Sequence, residues 1–134
     1  DAKVADALGA SPEELWDEMD RMAVFAGEAE VAALSPDMAK IAALDTRGVI
    51  ATAPGESCDF VSRFFAPKAG IPEDPVTGSA HCILTPYWAK RLGKSRLTAR
   101  QISARGGELV VEHKGERVLI SGRVAPYMEG RIRV

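Results

Sequence analysis

The chain has 134 residues, 46% of them hydrophobic and 27% charged, enough for one compact core and ordinary for a globular domain. Seventeen basic against nineteen acidic side chains leave a net charge of −2 with Lys and Arg dispersed, which argues against a nucleic-acid partner. No apolar run approaches the roughly 20 residues that cross a bilayer, no charged-then-apolar leader opens the chain, and Cys58 and Cys82 lack CxxC spacing. The expectation is a cytoplasmic, non-membrane domain with free thiols, no disulfide and no metal site.

The chain opens on Asp1 and runs into a short helical stretch, Val4 to Leu8, closed by Gly9 as a stop signal, as though it began inside a longer protein. Ser11-Pro12-Glu13-Glu14 predicts a helix start, with Ser as N-cap, Pro at the first position and acids facing the positive end of the dipole; the helix should reach about Met19. Met22 to Ala26 is a brief apolar run ending at Gly27 and predicts a strand. The start signal repeats at Ser35-Pro36-Asp37, for a helix to about Leu44 carrying Met38, Ile41, Ala42 and Leu44 at helical spacing.

Val49 to Ala53 and Asp59 to Phe65 are β-branched and aromatic, end at Pro54-Gly55 and before Pro67, and predict two neighbouring strands. From Leu97 onward the chain alternates through Leu97 to Ile102, Glu108 to Glu112, Arg117 to Ile120, Arg123 to Val124 and Ile132 to Val134, with Lys114-Gly115 marking a hairpin. Between the two β regions lies one helix, about Gly78 to Leu92 with Gly93 as its stop, apolar nearly all round and therefore surrounded by protein. Pro86 should kink or restart it. A sheet or open barrel curled round this central helix, with the short helices outside, follows as the architecture: one α+β domain over residues 1–134.

Asp74-Pro75-Val76-Thr77-Gly78-Ser79-Ala80-His81 is the stretch whose chemistry exceeds its structural needs. It delivers the chain into the N-terminus of the buried helix, where the unpaired N–H groups of Gly78, Ser79 and Ala80 form an anion site for a substrate carboxylate or small phosphate. Asp74 stands just upstream, placed to act as a general acid. A plainer reading makes this a capped helix start, with Thr77 or Ser79 as N-cap, Gly78 a packing necessity and His81 a hydrogen-bonded core residue. Cys82 should pack as a small hydrophobe.

That segment has company. Asp59-Phe60-Val61-Ser62-Arg63-Phe64-Phe65-Ala66-Pro67, then Gly70 to Cys82, then Pro86-Tyr87-Trp88 and Gln101-Ile102-Ser103-Ala104-Arg105-Gly106-Gly107 resemble, in order and spacing, the C-terminal half of phenazine-biosynthesis (PhzF-like) proteins. The resemblance implies the diaminopimelate-epimerase-like fold of two similar domains facing across a cleft. It also implies an isomerase or epimerase that moves a proton on a small carboxylate without metal or organic cofactor. By motif, Asp74 matches the family's active-site aspartate, and Gly78 and Ser79 match the residues holding the substrate carboxylate, with Ala80 and His81 beside them.

The family's principal base is a glutamate in an N-terminal domain to which nothing here corresponds, so this chain supplies one face of a site. The other face would come from the missing domain, whether lost or encoded separately, or from a second copy of the chain. Two other functions compete: a small-carboxylate-binding or interaction domain without catalysis, and a racemase using Cys58 and Cys82 as a thiol pair, disfavoured because Cys82 lies in an apolar helix.

Overall fold

The computed structural model describes residues 1–133, and its architecture follows from strands whose two faces are both apolar. Along Phe60 to Phe65 the side chains alternate between two cores, Phe60 and Phe64 into one and Val61 and Phe65 into the other. The neighbouring strand at Val49 divides likewise, with Ile50 facing the first core and Val49, Ala51 and Ala53 the second. A sheet apolar on both faces must be covered on both, and it is.

In chain order the elements are α1 (Ala2–Leu8), β1 (Glu14–Asp17), β2 (Arg21–Val24), α2 (Glu28–Ala33), α3 (Met38–Ala43), β3 (Val49–Pro54), β4 (Phe60–Phe65), a 3₁₀ turn (Pro67–Ala69), α4 (Gly78–Leu92), β5 (Arg96–Gln101), β6 (Gly107–Lys114) and β7 (Arg117–Ser121). The strands form one seven-stranded sheet in sequence order. Two pairings are parallel, β2 with β3 and β4 with β5; the others are antiparallel. Each parallel pairing needs a crossover. The first is α2 with α3, which joins α1 over the core of Val4, Leu8, Phe25, Val31, Ile41 and Phe65; the second contains α4, which covers the core of Met22, Ile50, Phe60, Phe64, Leu84, Trp88 and Leu97. The curled sheet around one principal helix, with the short helices outside, is thus present, as an open sheet edged by β1 and β7.

The sheet covers one side of α4 and leaves the other open. Ala80, His81, Leu84, Thr85, Trp88 and Ala89 are buried, whereas Ser79, Cys82 and Lys90 are exposed, so the expectation of a helix enclosed all round, with Cys82 packed inside, is corrected. Trp88 anchors the buried side: its ring stacks on Phe60 at 5.7 Å, and its Nε1–H donates to Thr52 Oγ1 at 3.0 Å. Pro86 lies inside α4 without breaking it, and Gly93 ends the helix in the left-handed region.

Other differences have local causes. The helix expected from Ser11 is strand β1, because the backbone from Glu13 onward pairs with β2, and Trp16 packs edge-on against Tyr87 at 5.8 Å. Those tertiary contacts outweigh a helix cap, worth about 1 kcal/mol. The helix expected from Ser35 starts two residues later, with Asp37 accepting from the N–H groups of Ala39 and Lys40. Helix α2 is unpredicted; at six residues it is too short to show a period. The hairpin turns at Gly115, φ 62°. The strands expected at Arg123 to Val124 and from Ile132 are absent, residues 122–133 being irregular and exposed; Val134 lies outside the described residues.

Candidate active site

The sheet brings distant parts of the chain to one rim. Arg21 pairs with Val49 and Val49 with Phe65, so the starts of β2 and β3 stand beside the end of β4; Ser62 pairs with Gln101, and Gln101 with Gly107, adding the end of β5 and the start of β6. The loop from Ile71 into α4 crosses this rim. It is tied down where it passes, with Asp74 N–H donating to Phe64 O at 3.0 Å and Glu73 gripped by Arg63 through Nε and Nη2 at 2.7 and 2.8 Å.

Gln101 is the centre of that fixation. Its side chain is buried, accepts from Thr77 N–H at 2.7 Å, and donates through Nε2 to Asp74 O at 2.7 Å and Thr77 Oγ1 at 3.0 Å. Ser103 Oγ donates to Pro75 O at 2.8 Å and accepts from Gly106 N–H at 3.0 Å. The two sequence motifs, Asp74 to His81 and Gln101 to Gly107, are therefore a loop and its cradle.

Thr77 occupies the N-cap position of α4, yet its side chain makes no capping hydrogen bond. The hydroxyl donates instead to Asp74 Oδ2 and accepts from Gln101. A helix whose cap hydroxyl is committed elsewhere presents its first N–H groups, with the positive end of the dipole, to whatever approaches from outside. Gly78 and Ser79 are exposed at that point, while Ala80 has its methyl in the core, leaving only its backbone to the site. Gly78 is not the packing necessity of the plainer reading: a Cβ built on it meets nothing within 4 Å.

His81, expected beside a substrate, has its ring in the core at 0% exposure, 5.9 Å from Phe60. Nδ1 lies 2.7 Å from Thr77 O, and since a carbonyl only accepts, Nδ1 carries the proton and Nε2 is the bare nitrogen. Nε2 has no protein partner. Burial pushes the His81 pKa down, opposed by the bond to Thr77, so the ring is held neutral. Its connection to the loop runs through Thr77.

Two residues at the rim escaped the sequence reading. Asp20, fully buried at the turn before β2, accepts from Arg47 Nε at 2.8 Å and from Arg47 Nη2, and Nη2 also donates to Ser79 Oγ at 3.0 Å. Their separations along the chain, 27 and 32 residues, form no motif. The signal was limited to an acid and a base just before the starts of two strands that pair in parallel.

A family model described as phenazine biosynthesis-like protein, PhzC-PhzF, matches residues 18–130. The chain belongs to the PhzC-PhzF family. Two Pseudomonas aeruginosa proteins, each named an uncharacterized isomerase, are 53% and 50% identical over 98% and 96% of the chain. The chain spans about half the length of these relatives, 51% and 50%. Among solved structures, a PhzF family protein from Enterococcus faecalis aligns with a TM-score of 0.88 at 49% identity, over 90% of this chain and 46% of that one. A putative phenazine biosynthesis PhzC/PhzF protein from Clostridium difficile aligns at 0.88 and 40% identity, over 100% and 52%.

Within this PhzC-PhzF chain the two thiols do not form a pair. Cys58 packs against the core under α1 to α3, whereas Cys82 lies on α4, across the sheet. Burial, its foremost influence, pushes the Cys58 thiol upward, and its Sγ–H donates to Phe60 O at 3.2 Å. No cluster of three His, Cys, Asp or Glu suited to a metal, and no helix long and apolar enough to cross a membrane, occurs among the described residues. A cleft of about 540 Å³ lined by Cys58, Arg100, Leu109 and Val110 lies apart from the Asp74 loop, none of whose residues lines it.

Proposed function

We propose that this chain forms one wall of the active site of a cofactor-independent isomerase or epimerase that moves a proton on a small carboxylate substrate. Asp74 is the acid–base group. The N–H groups of Gly78, Ser79 and Ala80 receive the carboxylate, and His81 serves only by holding Thr77. The observation carrying this reading is the uncapped start of α4, with the Thr77 hydroxyl given to Asp74 and Gln101. The arrangement couples the carboxylate's seat to the group that would handle the proton. Proton removal and return at one carbon need groups on both faces of the substrate. The opposite group is assigned to a second domain bearing a glutamate base, as in the two-domain diaminopimelate-epimerase-like fold, or to a second copy of this chain.

Gly78→Ala tests the site directly, because its methyl meets open space and the fold should be kept. Amide shifts of the variant should match the parent except near α4's start, while titration with small carboxylates such as benzoate and succinate should lose its response at Gly78 to Ala80. Unchanged binding by a folded Gly78→Ala would sink the reading. In a two-domain relative, replacing the equivalent aspartate by asparagine should lower turnover and leave binding largely intact.

A non-catalytic carboxylate-binding domain is the second reading. It is favoured by the loop's other carboxylate, Glu73, being held by Arg63, which leaves Asp74 as the loop's one acid outside an ion pair, and it predicts intact binding with no proton exchange on any bound carboxylate.

A further inference from the structure

The Asp20–Arg47–Ser79 network has features that a surface ion pair lacks. Asp20 is at 0% exposure, a carboxylate removed from water whose cost is offset, among the described residues, by Arg47. Arg47 is 45% exposed, anchored at one edge and open at the other. Its Nε and one Nη2 hydrogen are spent on Asp20, the second Nη2 hydrogen is spent on Ser79 Oγ, and Nη1 has no acceptor among the described residues. The guanidinium lies 5.8 Å over the Phe64 ring, which rests against Gly48, where a Cβ would stand 2.6 Å from Phe64 Cζ. Buried carboxylate, aromatic floor and glycine together fix one orientation of the fork.

That orientation dictates the state of Ser79. A hydroxyl has one proton and two lone pairs. Because Arg47 can only donate, Ser79 Oγ must accept from it, and the Ser79 proton is turned away, with no acceptor among the described residues. It is free to donate at the first turn of α4, beside the exposed Gly78. Alongside that donor, the guanidinium carries a permanent positive charge, with both Nη1 hydrogens unspent among the described residues.

We propose that Arg47, set by Asp20, is a positioning residue that makes the Ser79 hydroxyl a hydrogen-bond donor to the substrate carboxylate, and that its cation gives this site its preference for anionic carboxylates over neutral amides. The inference rests on the carboxylate seat proposed above and names how that seat discriminates. Charge-assisted bonds of this type are about twice as strong as neutral ones. The discrimination lies in the pair, with Ser79 supplying direction and Arg47 the charge.

The test is a double-mutant cycle read by ligand affinity, using benzoate and benzamide as probes on the 134-residue chain. Arg47→Met alone would strand the buried Asp20 charge, so the partner variant is Asp20→Asn with Arg47→Met, which removes both charges together; Arg47→Lys keeps the charge without the fork. In the parent, benzoate should perturb the amides of Gly78 to Ala80 and bind at least about tenfold more tightly than benzamide, a difference of about 1.4 kcal/mol. Ser79→Ala should weaken benzoate several-fold in the parent but not in the Asp20→Asn, Arg47→Met background, and Arg47→Lys should retain part of the preference for benzoate over benzamide. If benzoate perturbs those amides equally in every variant, the role of Arg47 is overturned and the seat stands. If the parent shows no response there, the seat is overturned and the role of Arg47 with it.

Discussion

Val76 fills the space that a side chain on Gly107 would need, since a Cβ built at Gly107 would stand 2.2 Å from Val76 Cγ2. The loop that carries Asp74 is therefore seated against the bare backbone at the start of β6. Gly107→Ala should displace Val76, whose β-branched side chain has little freedom to turn aside. We expect a loss of about 1–3 kcal/mol on urea unfolding and weaker carboxylate binding; Val76→Ala in the same chain should restore most of both. A Gly107→Ala protein with parental stability and binding would show that the contact does not hold the loop.

Gln101→Leu keeps the side-chain volume and removes three hydrogen bonds, leaving Thr77 N–H, Thr77 Oγ1 and Asp74 O short of partners. The buried Thr77 N–H, left without its acceptor, costs about 1–3 kcal/mol by itself. Denaturant unfolding should show a loss well above that of an ordinary surface change, and the amide signals from Asp74 to Ala80 should broaden or shift together. A shift confined to residue 101 would contradict the role given to Gln101.

The pH dependence of stability isolates His81. Burial lowers its pKa below the usual 6.5, so as pH falls the unfolded chain takes up the proton before the folded one does. The stabilisation is full above about pH 6.5 and is lost progressively between there and the folded-state pKa. His81→Asn can still donate to Thr77 O but does not titrate. Its melting temperature should fall less than the parent's as pH drops below about 6.5; parallel curves would show that His81 is not held neutral.

Much of the fold was legible because its signals are local. Helix α4 is bounded by Thr77 and Gly93, and β3 and β4 are runs of Val, Ile and Phe between turn residues. The Asp74 loop stood out by residue type, but type and spacing left a capped helix start equally open, and the roles given to its residues came from the resemblance. What failed was decided across the sheet. Ser11-Pro12-Glu13-Glu14 carries a sound helix start, but Glu14 is the acceptor for Trp16 Nε1–H, Tyr87 O–H and Arg91, and two of those partners lie more than 70 residues away. Cys82 was misjudged because an apolar helix composition does not reveal which side the sheet covers. Asp20 and Arg47 were invisible because their meeting depends on the parallel pairing of β2 with β3.

The rim that gathers Asp20, Arg47, Asp74, Gln101 and Gly107 has an opposite. There the β3–β4 turn at Pro54 to Phe60, the start of β5 at Arg96 and the Gly115 hairpin come together, as the pairings of Pro54 with Phe60 and Arg96 with Glu112 require. The strands span the distance between the two rims. A fluorophore, an affinity peptide or a tether to a surface placed at Gly115-Glu116 would be held a full strand length from the Asp74 loop. The hairpin is thus the natural handle for immobilising the domain with the Asp74 rim facing solution.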